Sequence, residues 1–301
     1  MGVLQKRWAV VSVTQTKRYC SEAGRFPLKR RPASCSTLPA VGRKEFGSFE
    51  EVLRSVGERK TAAAKARFAG SDPTAEKPRD VYLVACDEIA QALLPHGFLY
   101  LKSKQALDRT VGAFVHHVSF QSSRNNVAGQ SVVIWMHGNV RCKELATWRS
   151  QQSTPLRTDD WVAGGMVHLL TREHAMIEWQ LADPMSRSAT IANAQEFART
   201  VVLGYFGLFE DPQRTVAELL KAPINAFNLG DQIEFLLCFA GPPEANQILQ
   251  RFVAHRTDLH SHMRRAIERV EREGLPEYPP SGYADVVAWV RKAYGLEPVF
   301  T

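Results

Sequence analysis

The chain has 301 residues, of which 45% are apolar, 23% charged and 9% aromatic. That balance excludes a wholly disordered, collagen-like or coiled-coil chain and leaves room for one large domain or two modest ones. No apolar run approaches the roughly 20 residues that span a bilayer, so no membrane association is expected.

The formal net charge of +7 is concentrated rather than spread. Residues 1–75 carry 15 Lys and Arg against 6 Asp and Glu, a net of +9, whereas the remaining 23 basic and 25 acidic residues leave −2. A near-neutral body lacks the broad footprint of a dedicated nucleic-acid-binding domain, although a basic arm can bind polyanions by releasing their counterions. Residues 1–47 read as that arm, of low order. Between Met1 and Ala40 the only acid is Glu22, set among Lys6, Arg7, Lys17, Arg18, Arg25, Lys29, Arg30 and Arg31 with Ser and Thr between them. The composition fits a tail, a polyanion-binding arm or an organelle transit peptide. Cytoplasmic location is expected, with organelle import if the arm is a transit peptide. The cysteines, Cys20, Cys35, Cys86, Cys142 and Cys238, are odd in number, far apart and without a CxxC pair. Neither a disulfide framework nor a metal knuckle is visible in that spacing, which fits a reducing compartment. Cys86 and Cys238 lie in apolar helical runs and read as buried, inert thiols.

Ser48 with Glu51 reads as a capping box ahead of Val52, Leu53 and Val56, predicting a helix over 49–67. The stretch 70–78, with Gly70, Pro73 and Pro78, breaks it and serves as the linker, so that 48–79 is helix and linker and a main domain spans 80–211. Val81, Val84, Ala85, Ile89, Ala92 and Leu93 recur at helical spacing until Pro95-His96-Gly97 stops them. The period then changes to two. Phe114, Val118 and Phe120 alternate with Val115, His117, Ser119 and Gln121; after the polar loop 122–129, Val132, Ile134 and Met136 alternate with Val133, Trp135 and His137. The two runs predict a long antiparallel hairpin. A second hairpin is predicted from 166–170 and 175–181. Beyond Pro184 helices are predicted over 191–205, 215–221, 231–239, 244–255, 258–273 and 283–294, the fourth opened by Pro242-Pro243. The fold class is therefore α+β, a mainly antiparallel sheet packed by helices, followed over 212–301 by an all-helical extension.

No Gly-rich phosphate loop, HExxH or GxSxG is present, so no motif fixes a reaction and no cofactor is expected. His116, His137 and His168 fall one on each of three predicted strands, and three imidazoles suit zinc if register brings them together. Ordinary polar-face histidines are the simpler reading of them, as solvated or capping histidines are of His255, His260 and His262. Glu178, Asp183 and the pair Asp159-Asp160 are the carboxylates for acid–base work, the last pair more simply a turn. Trp135, Trp148, Trp161 and Trp179 lie in or next to the sheet, as core packing or as a stacking platform. The loop Gln121, Ser122, Ser123, Arg124, Asn125 and Asn126 is a run of donors and acceptors with one cation. With Arg109 it is the expected binding surface, because loops on a rigid sheet carry recognition disproportionately.

Across 93–148, the pieces Leu94-Pro95-His96-Gly97-Phe98, Asp108-Arg109, Val118-Ser119-Phe120-Gln121-Ser122-Ser123 and 129–138 together resemble the DUF4304 family. The resemblance extends toward 181 if Trp161 corresponds to the family's later tryptophan. It implies a helix followed by a hairpin and a further strand, no catalytic residue, and kinship with bacterial proteins suspected of immunity or defence roles. The basic arm and the helical tail depart from that pattern. The resulting expectation is a non-catalytic protein-interaction module whose partner is another protein. The alternatives are a nucleic-acid-associated protein using the arm and a metal-dependent hydrolase using the strand histidines.

Overall fold

The computed structural model describes residues 76–278, 280 and 282–300. The basic arm, with Cys20 and Cys35, the capping box at Ser48, the helix over 49–67 and most of the linker lie outside the described residues. Helix α1, Pro78–Gln91, starts on a proline at its first turn, where the missing N–H has no partner to lose, and buries Val81, Tyr82, Ala85, Cys86, Ile89 and Ala90 along one stripe. A 3₁₀ turn, Leu94–His96, closes on Gly97 at φ +81° and turns the chain into the sheet.

The sheet comprises β1 (Leu99–Leu101), β2 (Ala106–Val111), β3 (Phe114–Ser122), β4 (Val133–Cys142) and β5 (Trp161–Met166) in that spatial order, every pair antiparallel. The expected hairpin is β3–β4, in register from Phe114 opposite Cys142 to Ser122 opposite Ile134. β1 and β2 carry no clean alternation, as the burial of both Ala106 and Leu107 shows, and periodicity did not reveal them.

The second hairpin does not form. Residues 167–170 close a 3₁₀ turn after β5, and the later run contributes only β6 (Trp179–Gln180), which pairs with β4 at Gln180 opposite Val133 and Trp179 opposite Ile134. β4 is longer than the pairing β5 offers, so the backbone groups at its first end are met by the returning chain, including Leu181 N–H to the Val132 carbonyl at 2.7 Å. Gly164, at φ +123°, lies in β5 opposite Asn139 of β4; a Cβ there would stand 2.3 Å from the Gly138 carbonyl oxygen. Only glycine permits that approach.

The helices that follow are α2 (Lys143–Ser150) directly after β4, α3 (Pro184–Phe197) continuing through a π turn into α4 (Leu203–Phe206), α5 (Pro212–Lys221), α6 (Leu229–Phe239), α7 (Pro242–His255), α8 (His260–Glu273) and α9 (Tyr283–Tyr294). Asp183 and Asp211 cap α3 and α5 by accepting the N–H groups of Met185 and Arg214 at 3.0 and 2.9 Å. Asp183 is thereby a structural cap. One core joins sheet and extension: the Phe114 ring of β3 lies 6.1 Å from Phe235 of α6 and 6.0 Å from Phe209, while Leu249 of α7 and Val287 of α9 are fully buried in the same cluster. Cys86 and Cys142 are buried, and burial pushes the Cys86 thiol up to about 12. Cys238 is half-buried, its thiol raised in the same way.

Arg149 of α2 is completely buried and ties the two parts together. Its Nε donates to Glu234 Oε2 at 2.7 Å, Nη2 to Asp231 Oδ1 at 3.1 Å, and Nη1 to the carbonyls of Asp159 and Trp161 at 3.0 and 2.6 Å. Glu234 Oε1 in turn accepts from the Leu156 N–H and the Tyr294 hydroxyl, each at 2.6 Å. One guanidinium thus faces two buried carboxylates, with the more exposed Asp159 carboxylate 3.8 Å from Nη1. Burial, with the Glu234 charge beside it, pushes Asp231 up to about 6 against the pull of Arg149.

Candidate functional site on the open face of the sheet

Alternation in β3 and β4 gives the sheet two unlike faces. Phe114, His116, Val118 and Phe120 of β3 and Met136, Gly138 and Val140 of β4 are buried against the helices, whereas Val115, His117, Ser119, Gln121, Trp135, His137, Asn139 and Arg141 keep partial or full exposure. The second set is the open face, and its polar side chains are linked. His117 Nδ1 lies 2.6 Å from Asp108 Oδ1, directly across the β2–β3 pairing, and Arg141 Nη2 approaches the same oxygen at 3.5 Å. His137, opposite Ser119 in register, meets Gln121 Oε1 at 3.0 Å. Burial depresses the His137 pKa, and the nearby His168 and His117 add to the effect. Trp135 Nε1 donates to Glu178 Oε2 at 3.3 Å, and Trp161, opposite Arg141, has the Arg157 guanidinium 5.5 Å from its ring centroid.

Some of this cluster's hydrogen-bonding capacity is unspent. Asn139 Oδ1, Arg141 Nε and His168 Nδ1 are buried atoms with no hydrogen-bond partner among the described residues. Native structures rarely leave such atoms unpaired, and Asn139 and Arg141, two residues apart on β4, present theirs on the same face of the sheet. Arg141 and Asp108 keep 35% and 32% of their side-chain surface exposed, so rotation about their own bonds brings their polar ends into contact range. His117, at 25%, is slightly less open.

Gln121 is part of this face. Ser123, Arg124 and Asn125 form its rim: the Ser123 hydroxyl accepts the Asn125 N–H at 3.1 Å, and Arg124 is exposed without an ion pair among the described residues. Asn126 fixes the loop by accepting from Val133 N–H at 2.8 Å and donating to Ser122 Oγ at 3.0 Å.

Arg109 is not brought to the loop. It sits opposite His116 near the far end of β3, on the covered face, where Nη1 donates to the His96 carbonyl at 3.2 Å, Nη2 to His116 Nδ1 at 3.0 Å, and the guanidinium carbon stands 4.9 Å from the Phe98 ring centroid.

The three strand histidines do not converge either. His116 points through the sheet, away from His137, and both of its nitrogens are engaged, Nδ1 by Arg109 and Nε2 by the Phe209 carbonyl at 2.7 Å. Burial lowers its pKa to about 4. His168 occupies the 3₁₀ turn after β5 rather than a strand. Among the described residues no three His, Cys, Asp or Glu side chains are placed to hold a metal ion. The histidines that gather are His117, His137 and His168, and the signal for His117 was its shared parity with Ser119 and Gln121.

The remaining candidates have structural places. Asp159 pairs with Arg157 at 2.8 Å and accepts the Trp161 N–H, closing a turn. His255 and His260 bond the carbonyls of Arg251 and Val253. Of the tryptophans, Trp179 is buried and donates to Asn193 Oδ1 at 2.9 Å, and Trp148 lies on α2 with its ring centroid 5.8 Å from that of Tyr294. Among the described residues no helix is long and apolar enough to cross a membrane. No family model, curated protein or solved structure matches the chain.

Proposed function

We propose that this chain is a non-catalytic recognition protein whose open sheet face receives a segment of a partner polypeptide. The observation that carries the reading is the pairing of unspent acceptor and donor on neighbouring residues of β4, Asn139 Oδ1 and Arg141 Nε. A backbone amide supplies one donor and one acceptor and answers both; a phosphate accepts only and leaves Asn139 unmet. Charge points the same way, since Asp108 stands beside Arg141 on the face and offsets its attraction for a polyanion. Trp135 and Trp161 supply the flat, partly apolar contact area typical of protein interfaces. Catalysis is disfavoured because the Asp108–His117 pair lies on an open surface, and enzymes shield reacting groups from water. The resemblance of 93–148 to the DUF4304 family agrees in kind, and would make the partner a component of a bacterial immunity or defence pair.

The test is quantitative capture from extracts of the source cell with the wild-type chain and the double variant Asn139→Ala, Arg141→Ala. A polypeptide enriched on the wild type and depleted about tenfold on the variant, equally after nuclease treatment, is the expected result. Equal recovery on both proteins, or loss of the species with nuclease, overturns the reading.

A further inference from the structure

Away from the open face, a cavity of about 710 Å³ lies between α7, the start of α6 and the chain leading into it, within the range of small-molecule sites. Its wall is apolar, formed by Phe227, Leu229, Ile248 and Phe252 among others. Its basic side chains, Lys221, Arg251, Arg256, His174 and His255, stand beside the neutral Asn228, Gln232 and Tyr283, and no carboxylate lines it. Two of these cations have acidic partners standing outside the cavity, Glu218 for Lys221 at 2.8 Å and Asp258 for Arg256 at 2.9 Å. Both pairs are solvent-exposed and therefore weak.

Arg251 has no carboxylate partner among the described residues; its Nη1 and Nη2 donate to the carbonyls of Leu220 and Leu219 at 2.9 and 2.6 Å, at the C-terminal end of α5. His255 donates Nδ1–H to the Arg251 carbonyl at 2.8 Å, and its Nε2 has no hydrogen-bond partner among the described residues. Backbone conformation supplies an independent mark. Two of the three non-glycine residues with left-handed backbone among those described, His174 at φ +50° and Ala226 at φ +51°, line this cavity. Ala226 is held so by its carbonyl accepting the Gly164 N–H at 2.8 Å. Strained backbone of this kind gathers at ligand sites.

We infer that the cavity binds a small organic acid, with its anionic head among Lys221, Arg251 and His255 and its apolar body against Phe227, Ile248 and Phe252. The single sign of the rim selects the anion, and the wall selects an aromatic or branched aliphatic body over a sugar or a free inorganic ion. The site is separate from the recognition face and does not depend on it.

Calorimetric titration of the full chain with 1-naphthaleneacetate, and with the neutral 1-naphthaleneacetamide of the same shape, tests the assignment. The acid should saturate one site and the amide should bind about tenfold more weakly. Lys221→Gln and His255→Gln, both at exposed positions, should each weaken the acid several-fold without changing the amide. Ala222→Trp, also exposed and on the lining, should block both ligands. Equal affinity for acid and amide, full affinity retained in the Ala222→Trp protein, or no saturable binding of the acid in the millimolar range would each overturn the proposal.

Discussion

The imidazole of His116 lies flat on the ring of Phe206, with 4.6 Å between centroids and 6° between planes. Its neighbour His117 faces the other side of the sheet and pairs with Asp108. Two adjacent histidines therefore have opposite environments, fixed by the period of the strand alone.

The buried ring predicts how stability depends on pH. The His116 pKa is lowered from 6.5 to about 4, chiefly by burial, so the folded state keeps the ring neutral where the unfolded chain takes up a proton. Its contribution is complete above pH 6.5 and is lost as pH falls through that value toward 4, for a total of about 3 kcal/mol. Urea unfolding at pH values across that window should show the loss, and His116→Phe should remove that component of the slope.

Asp231 acts in the opposite sense. Its folded pKa is raised from 3.8 to about 6, so between those values the native state holds a proton that the unfolded chain releases, and its contribution falls as pH rises. Asp231→Asn should abolish that slope and leave the protein at least as stable as the wild type near neutral pH. The same unfolding series read on this variant checks it.

Removing the cation is a different matter. Arg149→Met strands Glu234 and Asp231 without their counter-charge in the core and should cost about 3–5 kcal/mol in chemical denaturation. Tyr294→Phe removes only the hydroxyl donated to Glu234 and should cost about 1–3 kcal/mol. If both substitutions cost the same, the guanidinium is not the hub of the cluster.

Gly164→Ala places a methyl group 2.3 Å from the Gly138 carbonyl oxygen at a backbone angle that L residues avoid. A loss of about 3 kcal/mol or more in denaturant unfolding is expected, whereas Gly204→Ala, where a Cβ meets nothing within 4 Å, should change little.

The β3–β4 hairpin and the helices from Pro212 onward were legible because period two, period 3.6 and the opening prolines are local signals. α9 falls on its expected bounds, and α5, α6 and α7 start two or three residues earlier than their apolar periods do, at the proline or the capping turn. β6 misled for a non-local reason: whether 175–181 pairs with its sequence neighbour or returns to β4 is decided by which backbone groups β4 leaves unmet. Arg149 was invisible for a similar reason, since nothing in Lys143–Ser150 distinguishes a buried arginine from a surface one until Glu234 arrives 85 residues later. Of the open face, Gln121 and His137 could be read from parity, but Asp108 required the register of a strand without alternation.

The most direct measurement is photocrosslinking in the source cell from a benzophenone side chain at Thr110, exposed at the edge of the open face, beside the same group at Gln250 on α7. The account predicts one discrete polypeptide adduct from Thr110, absent from Gln250 and lost when Asn139→Ala and Arg141→Ala are introduced. A nucleic-acid adduct at Thr110, or the same adduct from both positions, would contradict it.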